Sequence, residues 1–139
     1  MPTYLTRRVT FAAAHRYRIA EWSEEKNSAT FGPCARPNFH GHSYVCDVTV
    51  TGDVDPVTGF VADLAALDRA LQHEVRDRLD HANINLDLPE FADGKLMPTG
   101  ENLARFIADR VQQAIGGAAR VTRVTVAEDS TLSATYEPG

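Results

Sequence analysis

From Val9 to His15 the chain alternates, with Val9, Phe11, Ala13 and His15 on one parity. Period-two alternation is the mark of a strand with one buried face, so a strand is expected over Tyr4–His15. A second one follows, in which His40, His42, Tyr44, Cys46, Val48 and Val50 share a face and Asp47, Thr49 and Thr51 take the other. Between them Trp22–Pro37 is polar and carries Gly32-Pro33, the composition of a long loop. After the turn-rich stretch Gly52–Gly59 the period changes. Leu64, Leu67, Leu71, Val75 and Leu79 recur every three or four residues behind Asp63, a suitable N-cap. Asp80–Gly94 returns to loop composition. Thr99 then caps a second helix, with Glu101 in its first turn, Leu103, Phe106, Ile107 and Val111 turned inward, and Gly116-Gly117 to stop it. Arg120–Tyr136 predicts two strands joined around Asp129-Ser130, with Val124, Val126 and Glu128 on one face of the first. The order strand, strand, helix, helix, strand, strand is an α+β pattern: antiparallel sheet with both helices on one side.

The 139 residues show no repeat or linker, so one domain over residues 1–139 is expected. Apolar residues make up 43% and charged residues 24%, which suits a water-soluble chain with a sizeable core. Fourteen lysines and arginines face nineteen acidic residues, a net charge of −5, so no basic excess exists to displace counterions from nucleic acid. No apolar run approaches the roughly 18 residues of a membrane span, and Met1–Arg8 has no signal-peptide core, so a cytoplasmic location without membrane partners is expected. Two cysteines, Cys34 and Cys46, cannot build a disulfide scaffold.

The densest chemistry is His40-Gly41-His42. Residues two apart on a strand point the same way, so the two imidazoles face one region of space. If the first two strands pair antiparallel, His15 arrives beside them. Three neutral imidazoles form a catalytic zinc set with one position left for water or substrate; isolated histidines at strand ends also serve as hydrogen-bonding residues, and the spacing alone leaves both open. Cys34 could be a fourth ligand, a nucleophile or base, or a small packed residue, whereas Cys46 sits mid-strand among core positions. Asp80-His81 could be a proton shuttle, the aspartate fixing the tautomer, or a charge feature at a helix end. Glu128 could pair with a ligand bearing N–H donors, or turn to solvent. His73 has no neighbours that suggest chemistry.

Taken together, Phe11-Ala-Ala-Ala-His15-Arg, Cys34-x5-His40-Gly-His42-Ser-Tyr44, Asp55-Pro-x-Thr-Gly59, Leu79-Asp80-His81, Pro98-Thr99-x-Glu101-Asn102 and Glu128 closely resemble the 6-pyruvoyl-tetrahydropterin synthase family. The resemblance implies the tunnelling fold, a four-stranded antiparallel sheet with two helices on one face, assembled as trimers or hexamers with sites between subunits. It implies one Zn2+ per subunit on His15, His40 and His42, and a proton-transfer triad of Cys34, Asp80 and His81. Glu128 would anchor a pterin ring, with Thr99 and Glu101 lining its pocket. The substrate implied is 7,8-dihydroneopterin triphosphate, whose triphosphate could bring Mg2+ with it and would meet a cation such as Arg16. Gly100 and Asp129 depart from the serine or threonine often found at these positions. Two relatives of this chemistry compete. One is 6-carboxytetrahydropterin synthase of the queuosine pathway, which releases acetaldehyde; the five-residue spacer Ala35–Phe39 looks more like the pyruvoyl type. The other removes the side chain by a retro-aldol step and commonly carries glutamate where Cys34 stands. A non-catalytic zinc- or pterin-binding module is the alternative of another class.

Overall fold

The computed structural model describes residues 1–139. Strand β1 (Tyr4–His15) leads through helix α1 (Glu24–Phe31) and a 3₁₀ turn (Gly32–Ala35) to β2 (His40–Thr51). Helices α2 (Leu64–Leu71) and α3 (Asp77–Leu79) are joined by a π-helical turn, Gln72–Arg76. Strand β3 (Ala82–Asn83), helix α4 (Ile84–Asp87) and a 3₁₀ turn (Pro89–Phe91) precede helix α5 (Gly100–Ile115), β4 (Arg120–Asp129) and β5 (Leu132–Tyr136).

The sheet runs β3-β1-β2-β4-β5. It therefore has five strands where four were expected, and the element order is richer than two strands, two helices, two strands. The added strand is β3, two residues long and parallel to β1 through Ala13 and Ala14; two residues are too few to carry a period in sequence. The other pairings are antiparallel. Helix α1 occupies part of the segment expected to be loop. Its only buried residue is Asn27, so it has no apolar stripe to announce it. It is held instead by polar bonds: Ser23 caps the Lys26 N–H, and the Asn27 side chain bonds the backbone of Ile19, Trp22 and Ser23.

The long helices lie on one face of the sheet. Val9, Phe11, Tyr44, Cys46, Val48, Val50, Val124 and Val126 meet Leu67, Leu71, Leu103, Ile107 and Val111 in one core cluster. Leu67, Leu71, Val75 and Leu79 repeat every fourth residue, which in an α-helix would drift by about 40° per step. The wider π turn takes up that drift, and all four stay buried. Asp63 and Thr99 cap α2 and α5 as expected, through Ala66 N–H and Asn102 N–H, and Gly116 ends α5 with φ 75°. Two bulges tune β4. Thr122 is skipped between the pairs Thr49↔Arg123 and Val50↔Val121, which lets both Val121 and Val124 face the core. Glu128 is skipped between Ala127↔Ser133 and Asp129↔Leu132. No helix is long and apolar enough to cross a membrane.

Candidate metal centre and active site

The register of β1 and β2 decides the site. Their antiparallel pairing sets His15 directly opposite His40 and Ala13 opposite His42. All three histidines share the core parity, at the end of the sheet where α5 begins. Their rings form a triangle, with centroids 4.6 Å apart for His15 and His40, 5.1 Å for His15 and His42, and 5.0 Å for His40 and His42. One ligand nitrogen from each falls within 4.8 Å of the others.

The hydrogen bonds say what these nitrogens are for. His15 is fully buried, and its Nδ1 lies 2.8 Å from the Pro98 carbonyl, which can only accept. Nδ1 therefore carries the proton and Nε2 presents a lone pair, the arrangement that orients a metal-binding imidazole. The Tyr44 hydroxyl lies 3.0 Å from the same Nδ1. The Nε2 atoms of His15, His40 and His42 are all buried without any hydrogen-bond partner. Buried polar atoms are rarely left so. Three of them aimed at one point fit a divalent cation that accepts imidazole nitrogen, and zinc suits the set. Burial lowers the pKa of His15 from 6.5 to about 4 and also lowers that of His40, so both rings are neutral at pH 7 and ready to ligate.

Glu128 stands at the mouth of this triangle. Its Oε2 lies 3.7 Å from His42 Nε2 and its Oε1 4.0 Å from His15 Nε2. The bulge at Glu128 turns its side chain out of the ladder toward the histidines, a common use of bulges near active sites. The Tyr17 hydroxyl donates to Oε1 at 2.9 Å. Tyr17, Thr99, Gly100, Glu101, Val126, Glu128 and residues of β5 line a cleft of about 230 Å³. A larger depression of about 540 Å³ lies at the other end of the strands, among Met1–Thr3, Thr51–Val54 and Gly117–Arg120. It gathers no histidine, cysteine or glutamate, so the smaller cleft is the better site.

Cys34 sits in the 3₁₀ turn after α1, half-buried, and its carbonyl accepts from Tyr17 N–H at 2.8 Å. Burial, then the Glu128 carboxylate, raise the Cys34 pKa, so the free chain holds a thiol at neutral pH. Asp80 and His81 are elsewhere. Asp80 accepts from Ala12 N–H at 2.8 Å and from Arg76 at 2.9 Å, and its Oδ2 lies 3.1 Å from His81 Nδ1. His81 is 84% exposed and lines a shallow depression with Ala12, Ala13, Ala14, Gly41, His42, Ser43 and Ala82, at the β1 edge of the sheet. One chain thus brings His15, His40, His42 and Glu128 together, with Thr99 and Glu101 along the cleft and Cys34 near enough to feel the Glu128 carboxylate, while Asp80 and His81 lie outside that cleft.

A profile of the family described as 6-pyruvoyl tetrahydropterin synthase matches residues 4–139. The chain belongs to that family. Among its relatives, 6-pyruvoyl tetrahydrobiopterin synthase from Homo sapiens is 41% identical over 111 residues, 80% of this chain and 75% of the human one. The solved structure of Caenorhabditis elegans 6-pyruvoyl tetrahydropterin synthase matches with a TM-score of 0.92 at 32% identity, covering 100% of this chain and 97% of that one. Dihydroneopterin monophosphate aldolase from Pyrococcus furiosus is 29% identical over 132 residues, 94% of this chain and 93% of that one.

Gly100 and Asp129, which the resemblance set apart, each have a local role. A Cβ on Gly100 would come within 3.3 Å of the Ala134 side chain, so α5 starts tight against β5. Asp129 closes the β4–β5 turn by accepting from Thr131 N–H at 2.7 Å and from its hydroxyl at 2.6 Å. Arg16 is already engaged. Its guanidinium lies 4.5 Å over the Phe39 ring, donates to the Pro37 carbonyl at 2.8 Å and stands 3.7 Å from Asp93. Phe39 holds a left-handed φ of 62° immediately before His40, a costly conformation for a bulky residue, and it sits next to a ligand. Tyr17 lies two residues past the end of β1, and its shared parity with His15 is the signal in the sequence that points it toward the histidines.

Proposed function

We propose that this protein is a zinc-dependent lyase that converts 7,8-dihydroneopterin triphosphate to 6-pyruvoyl-tetrahydropterin with release of inorganic triphosphate. The observation that carries the reading is the convergence of three unpartnered Nε2 atoms beside the Glu128-lined cleft. Zinc on His15, His40 and His42 would supply Lewis acidity to the hydroxyl oxygens of the substrate side chain. The chain's own groups do the rest. The Glu128 carboxylate accepts N–H bonds from the pterin ring, with Thr99 and Glu101 along the cleft, which aims the side chain at the histidines. Cys34 lies on the α1 side of that path and moves a proton to or from the substrate carbon. Asp80 orients His81 as the second proton carrier. Since both sit beside the β1 edge of the sheet and outside that cleft, a second copy of the chain delivers them, which makes the active unit a homo-oligomer with sites between subunits. No outside redox partner enters, because the side chain is oxidised as the ring is reduced.

The test is product analysis with 7,8-dihydroneopterin triphosphate. A pyruvoyl pterin and free triphosphate, without acetaldehyde, are expected. Acetaldehyde with a carboxypterin would move the chain to the carboxytetrahydropterin branch. A two-carbon aldehyde with a hydroxymethylpterin would make it an aldolase like the Pyrococcus furiosus relative.

A further inference from the structure

Glu128 is pulled two ways. Its oxygens lie 3.7 and 4.0 Å from two histidine Nε2 atoms, while two ligands on a tetrahedral zinc, each about 2.0–2.1 Å from it, stand only about 3.3–3.4 Å apart. The three nitrogens themselves lie only within 4.8 Å of one another, so the histidines must draw in around a cation, and the carboxylate stands close enough to be drawn in with them. A side chain only 11% exposed also needs a partner for its charge. Yet the pterin-anchoring role requires it free of the metal, and the zinc position free for substrate.

One residue stands between the two outcomes. The Tyr17 hydroxyl donates to Glu128 Oε1 at 2.9 Å, from a ring set edge-on against His15 with centroids 4.8 Å apart and against Phe31 at 6.0 Å. Its backbone is fixed too, by the bond from Tyr17 N–H to the Cys34 carbonyl. This is a rigid donor on the cleft side of the carboxylate.

We propose that Tyr17 is a positioning residue that holds Glu128 in the pterin cleft and off the metal. The inference rests on the reading of the site given above, but its readout is metal binding rather than turnover. Tyr17→Phe keeps the ring and its packing while removing the one hydrogen bond. Without it, Glu128 closes onto the cation as a fourth protein ligand, so zinc binds more tightly and the pterin loses its anchor.

The experiment is competition for zinc between a chromogenic chelator and the full-length protein, for wild type, Tyr17→Phe, Glu128→Gln and the double variant. Tyr17→Phe should bind zinc about tenfold more tightly, Glu128→Gln about as tightly as wild type, and the double variant should lose the gain. In turnover, Tyr17→Phe should raise KM by about tenfold with a smaller change in kcat, because binding of the ring is what fails. X-ray absorption on the zinc-loaded variant should gain an oxygen at the expense of an exchangeable site. Unchanged or weaker zinc binding in a folded Tyr17→Phe protein overturns the proposal, as does a gain that survives in the double variant. If the zinc affinities follow the prediction but no triphosphate is released from the substrate, the positioning role stands and the lyase assignment falls.

Discussion

Removing the metal should leave the fold with an acid-sensitive weak point at His15. The ring is fully buried, with its single proton donated to Pro98, and its pKa falls from 6.5 to about 4 because burial disfavours the charged form, helped by His40 and His42. In the unfolded chain the same imidazole titrates near 6.5. Between those two values the unfolded state binds a proton that the folded state refuses, so stability falls as pH drops through that window. The full difference, about 2.5 pKa units at 1.36 kcal/mol each, is about 3 kcal/mol; at about pH 5 some 2 kcal/mol of it is already gone. That is a large share of an ordinary domain's stability. The assay is guanidinium unfolding of chelator-treated protein, followed by the fluorescence of the single tryptophan, Trp22, at fixed chain concentration. His15→Ala should start less stable, from the cavity it leaves, but lose less between pH 7 and 5 than wild type does. Excess zinc should restore wild type, by about 2.7 kcal/mol at a hundred times its Kd. Parallel pH dependence in wild type and His15→Ala would refute a buried neutral imidazole at this position.

Three further outcomes follow from the division of roles. Cys34→Ala should retain fold and zinc but lose most turnover, checked by metal analysis beside triphosphate release; a near wild-type rate removes Cys34 from proton transfer. His42→Ala should lose both zinc and activity, since two imidazoles cannot replace the set of three, and equilibrium dialysis reads this directly. Thr99→Ala should cost about 1 kcal/mol of stability by uncapping α5, and should also raise KM because Pro98, Thr99 and Glu101 belong to one turn beside the cleft. Thermal unfolding and steady-state kinetics measure the two effects separately.

Much of the site was legible in the sequence because it sits on strands with a clear period. The parity of β1 and β2 already put His15, His40 and His42 on one face, and antiparallel pairing needed only the short register that the structure shows, His15 opposite His40. The caps Asp63 and Thr99 were legible for the same local reason: a side-chain oxygen in front of an apolar period. What stayed hidden depends on tertiary contacts. Helix α1 has only Phe31, at its end, as a large apolar residue and leans on Asn27 bonding across a turn, so no stripe betrays it. The bulge that aims Glu128 is a mismatch between two strands and has no signature in either one. The placement of Asp80 and His81 is set by backbone bonds to Ala12 across the β1 edge, contacts that no local pattern around Leu79-Asp80-His81 announces.

The central claim is that three imidazoles hold one zinc and leave a position open to substrate. X-ray absorption on the zinc-loaded protein tests it most directly. Three nitrogen neighbours at about 2.0–2.1 Å, one exchangeable oxygen and no sulfur are predicted. A sulfur neighbour at about 2.3 Å would contradict it, because Cys34 would then close the shell and could no longer serve as a proton carrier.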